Sequence, residues 1–108
     1  PDSHVSLTER GENSFQCIAT LAERDVKRYT PAGIPIVSAR LLHASEQVEA
    51  GITRQVEFEM AAMAAGQIAE MLERAEMGQV FRFTGFMARK NRNSKSLVFH
   101  LTDFETIS

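Results

Sequence analysis

One cysteine in the chain, Cys17, excludes an intramolecular disulfide. It lies in an apolar alternation beside Ile18, where a small buried thiol is expected rather than a reactive one. No stretch approaches the roughly 18 consecutive apolar residues of a membrane-spanning helix, and the N-terminus lacks the basic start and apolar run of a secretory signal. These absences point to a soluble cytoplasmic protein with no membrane contact. The histidines His4, His43 and His100 stand far from one another and from Cys17, so zinc and haem spacings are missing and no metal or other cofactor is expected. Neither a phosphate-cradling G-x-x-x-x-G-K nor a G-x-S-x-G nucleophile elbow is present. Glu57 and Glu59 share a strand face where a solvated edge accounts for them, and a polar strand end explains His43 and Glu46 more simply than an acid/base couple. No constellation is left for an enzyme to rest on.

What is present is charge, unevenly spread. The formal net charge is only -2, yet residues 77–102 hold five bases and no acid, whereas residues 41–76 hold seven acids and two bases. The basic half centres on Arg89-Lys90-Asn91-Arg92-Asn93-Ser94-Lys95, four cations in seven residues. Between two strand-like segments this is a flexible cationic finger suited to a phosphate backbone. The alternative is a solvated hairpin tip kept soluble by its charges. With 108 residues and 44% apolar content, the chain fits one domain with a modest core. Residues 1–12, polar and without periodicity, read as a disordered or non-native N-terminal segment, leaving 13–108 as the folded domain.

The prevailing period is two. Phe15, Cys17, Ala19 and Leu21 alternate with Gln16, Ile18 and Thr20, giving a first strand that begins near Asn13. A loop with basic flanks follows from Arg24 to Pro35, reversed around Pro31 and Gly33. Ile36 to His43 reads as the second strand and Ser45 to Gly51 as another reversal. Val56, Phe58 and Met60 alternate with Gln55, Glu57 and Glu59 in a third strand with one acidic edge. From Met60 to Met77 the chain is dense in helix formers, with Ile68, Met71, Leu72 and Ala75 at helical spacing and Gly78 placed to cap the end. The methionines there read as core filler. Val80 to Met87 resumes alternation, and Leu97 to Leu101 forms the last strand.

Three strands, a helix and two strands joined by a basic loop match the order of an all-β, five-stranded Greek-key barrel of the OB-fold type, with the helix between strands three and four. In such a barrel the loops between strands one and two and between strands four and five flank the face made by strands two and three. Here both loops are basic, so Lys27, Arg28 and Tyr29 from one, and Arg89, Lys90, Arg92 and Lys95 from the other, are expected to converge on one cationic groove.

The phrases Arg28-Tyr29-Thr30-Pro31-Ala32-Gly33-Ile34-Pro35 and His43-Ala44-Ser45-Glu46-Gln47-Val48-Glu49-Ala50-Gly51, then Arg54-Gln55 and Gly85-Phe86, resemble the bacterial primosomal replication protein N (PriB) family, a relative of the single-stranded DNA-binding proteins. The likeness spans roughly residues 13–106. It implies an OB-fold homodimer that binds single-stranded DNA and acts in replication restart with the primosomal helicase and, in some bacteria, a helicase-loader protein. It also assigns DNA contact to the basic residue before the first loop's Thr-Pro, Arg28, and to Arg89, Lys90, Arg92 and Lys95 of the last loop. Better-known members carry aromatics where this chain has Ile52 and Glu57, leaving Phe86 and Tyr29 as stacking candidates. A packed or dimer-interface role for Phe86 is equally open. A general single-strand protector, or a protein-interaction module that docks a helicase, are the alternative functions.

Overall fold

The period-two pattern runs further than the residue types foretell. A computed structural model describes residues 11–107, so the first ten residues of the segment set apart as 1–12 lie outside the described residues. The elements are β1 (Phe15–Arg24), β2 (Arg28–Tyr29), β3 (Pro35–Glu49), β4 (Ile52–Ala65), α1 (Gln67–Glu73), β5 (Val80–Arg89) and β6 (Leu97–Thr106). The sheet order is β1-β5-β6-β4-β3-β2, and a further β1–β3 pairing closes the five long strands into a barrel. The β4–β6 contact is parallel and the other pairings are antiparallel. With α1 between the third and fourth of the five barrel strands, this is the OB-fold expected from the order of elements.

Alternation explains the interior. Leu21, Val37, Leu41, Phe83, Phe99 and, from the helix, Leu72 are the largest fully buried side chains, and Ala62 and Ala64 fill the narrow space between them. Arg24 of β1 donates to the carbonyls of Leu72 and Ala75, satisfying groups at the end of α1 and tying the helix to the barrel. Gly85 has a steric reason: a Cβ there would strike the His100 carbonyl of β6, so only glycine lets the two strands approach this closely.

Four sequence expectations need correction. Met60–Ala65 is strand, not the start of a helix, because β3 and β4 pair without interruption from Ile36↔Ala65 to Glu49↔Ile52. That ladder overrides the helix preference of Ala and Met. The helix is confined to Gln67–Glu73, starts after Gly66 at φ 75° and has Arg74 as its C-cap. Gly78 instead serves the turn into β5, donating to the Leu21 carbonyl. The second reversal is only the two residues Ala50 and Gly51; the polar residues around them build a long hairpin arm. At the other end, Asn13 joins the barrel through its side chain, which exchanges hydrogen bonds with the Met87 backbone, so β1 begins at Phe15.

Candidate nucleic-acid interface

The first loop is a small folded hairpin. Arg28 and Tyr29 pair with Ile36 and Pro35, while the Thr30 hydroxyl accepts from the Ile34 amide and Gly33, at φ 87°, donates to the Thr30 carbonyl. This geometry keeps Arg28 and Tyr29 exposed. The second loop, residues 90–96, carries its own internal hydrogen bonds. Lys90 donates its amide to Ser96 O, the Asn91 side chain accepts from Asn93, and the Ser94 hydroxyl accepts from Ser96. Those bonds use backbone and short polar side chains, leaving the cations outside. Among the described residues no carboxylate pairs with Arg89, Lys90, Arg92 or Lys95.

Between these loops lies a groove of about 950 Å³. Arg28 reaches it from one loop and Lys90 from the other; Ser38 and Arg40 of β3, Met63 of β4 and His100 of β6 form part of its wall. Arg28 also donates to the Ser38 hydroxyl at 3.3 Å. Glu23, Asp25 and Glu59 line the groove too, so its potential is mixed rather than uniformly positive.

The remaining sequence candidates are distributed differently. Lys27 turns to the helix, with Nζ 2.9 Å from Glu70 and 3.2 Å from Glu73, and these carboxylates, Glu70 first, hold its ammonium above the usual lysine range. Its charge is therefore matched within the fold. Tyr29 is exposed, with the Lys27 ammonium 5.5 Å from its ring centre. Arg89, Arg92 and Lys95 are exposed on the second loop and its base, outside the groove lining. Phe86 points outward from β5 and lies parallel to His100, ring centres 5.1 Å apart. Arg40 and His100 escaped the sequence reading. Arg40 was accessible as the outward member of Ser38-Arg40-Leu42, but His100 gains meaning only from its register with Phe86.

Cys17 and His43 approach to 3.1 Å, Sγ to Nδ1, yet the geometry does not make an activated pair. Nδ1 is 2.7 Å from the Ile18 carbonyl, an acceptor only, so Nδ1 carries the proton and is not the base for the thiol. Nε2 is then left to accept from the Ser45 hydroxyl at 2.8 Å. Burial also pushes the Cys17 thiol up, favouring its protonated form. Among the described residues no group of three or more His, Cys, Asp or Glu is arranged to hold a metal ion, and no helix is long and apolar enough to cross a membrane.

A closed barrel with one inter-strand helix and a two-loop groove is the architecture of single-strand-binding proteins, and a model described as "another single-strand binding protein family" matches residues 13–103. The chain is similar to a single-stranded DNA-binding protein from Thermus aquaticus, with 23% identity over 90% of this chain and 51% of that one at a TM-score of 0.70, a likeness of fold. Replication restart protein PriB of Nitrosomonas europaea is 40% identical over 99% of this chain and 96% of the relative, and that of Bordetella pertussis 34% over 89% and 90%. The solved structure of PriB from Ralstonia solanacearum has 45% identity and a TM-score of 0.84, covering 90% of this chain and 99% of that one. The chain belongs to the replication restart protein PriB family.

Proposed function

We propose that this protein is a noncatalytic single-stranded DNA-binding factor of replication restart, acting in the cytoplasm as a homodimer beside the primosomal helicase and, where one exists, a helicase loader. One observation carries the reading: Arg28 and Lys90, from loops far apart in sequence, line a single groove on the barrel wall. A groove with cations at both sides follows a phosphate backbone. Membership of the PriB family supports the restart role. The dimer reading draws on β1, whose ladder with β3 runs only from Thr20↔Leu42 to Arg24↔Ala39; Phe15–Ala19 pair with β5 alone. That half-open edge, with Ile18 43% exposed beside it, suits pairing with a second copy.

The test is fluorescence anisotropy on a labelled single strand and on the duplex of the same sequence, with and without the helicase. The expected result is binding to the single strand, little to the duplex, and a tighter joint complex when the helicase is present. Equal binding to both forms would contradict the single-strand reading. Tight binding unaffected by the helicase would favour a general single-strand protector. Helicase binding without DNA binding would favour a docking module, for which the exposed Glu46 and Glu57 on the arm offer an acidic face.

A further inference from the structure

We infer that His100, backed by Phe86, is the base-stacking seat of the groove, an inference that rests on the single-strand reading above. The two residues are direct partners across the β5–β6 ladder, and their rings are parallel, 5.1 Å centre to centre. Both point away from the core: Phe86 is 39% exposed, and His100 lies between the buried Phe99 and Leu101. His100 itself lines the groove with Arg28, Arg40 and Lys90, so a base entering between those cations meets the imidazole. On its other side, His100 is in register with Met63 of β4, a flexible thioether that adapts to an aromatic neighbour.

Gly85 makes room for this arrangement. A side chain there would collide with the His100 backbone, so glycine permits the close strand approach at the residue preceding Phe86. The other exposed aromatics are engaged by neighbouring side chains. Tyr29 has the Lys27 ammonium near its ring, and Phe58, which also borders the groove, leans on His43 with ring centres 4.8 Å apart. Parallel rings accept a third planar partner in the same orientation, which is how a base is recognised without regard to sequence.

The experiment compares an oligothymidine of about 15 nucleotides, near the upper end of what one OB-fold covers, with an abasic strand of the same phosphate count. His100→Ala should weaken oligothymidine binding about 5-fold or more and leave abasic binding unchanged. Lys90→Ala should weaken both. His100→Phe keeps a ring and should retain oligothymidine affinity, whereas His100→Gln should behave like the alanine variant; this pair decides the matter if His100→Ala does not fold. No loss on oligothymidine, or equal losses on both strands, would overturn the stacking seat while leaving the groove intact. If the wild-type protein binds neither strand, the single-strand reading falls and the stacking seat with it.

Discussion

Arg40 and Glu59 face each other diagonally across the β3–β4 ladder, Nε to Oε2 3.2 Å, on the wall of the groove. Glu59 therefore occupies the Arg40 guanidinium, and its carboxylate pushes the Arg40 pKa above its already high ordinary range. Both side chains are 45% exposed, so the pair adds little to stability. Under the proposed function, its larger effect is competition with the backbone of a bound strand.

Removing that competitor should strengthen binding. Glu59→Gln is expected to raise single-strand affinity about 5-fold, the equivalent of one exposed ion pair released. The log-log salt dependence should steepen by about 0.7 as one more phosphate is neutralised. Anisotropy titrations across salt concentrations measure both, and the melting temperature should barely move. If affinity and slope both stay at wild-type values, Arg40 does not meet the strand.

The hairpin arm contains a correctable strain. Ala50 sits at φ 55° beside Gly51 at φ 77°, the left-handed pair of a type I′ turn. Asn tolerates this region better than Ala. Ala50→Asn should stabilise the fold by about 1 kcal/mol, raising Tm by roughly 4 to 8 °C. Thermal unfolding checks it, and an unchanged or lowered Tm would mean that the turn is not limiting.

For the dimer, sedimentation equilibrium at micromolar concentration should give about twice the 12.0 kDa chain mass. Ile18→Asp places a charge on the outward face of β1 and should shift the distribution toward monomer. A wild-type monomer, or a dimer indifferent to the substitution, would refute pairing through β1.

How much of this was legible beforehand depends on whether neighbours along the chain or across the fold decide the outcome. Phe15, Cys17, Ala19 and Leu21 announce their strand because alternation is local, and Leu21 is fully buried as that pattern requires. Met60 to Ala65 misleads because Ala and Met favour helices, while the deciding contact is a ladder to Ile36–Leu41. Lys27 and Arg28 are adjacent in sequence and alike in charge, yet only the packing of α1 brings Glu70 and Glu73 to Lys27. His100 looked like an isolated histidine until β5 and β6 were in register with Phe86 opposite.

In the proposed function the cations of the second loop grip the phosphates of a single strand. The most direct test replaces Arg89, Lys90, Arg92 and Lys95 together with Ala and measures binding to an oligothymidine over a range of salt. Each phosphate released lowers the magnitude of the log-log slope by about 0.7, so if Arg89, Arg92 and Lys95 follow the strand beyond the groove that Lys90 lines, the loss of three or four contacts should reduce it by roughly 2 to 3, with weaker binding throughout. A variant with the wild-type slope would contradict the account and return the loop to a solubilising hairpin tip.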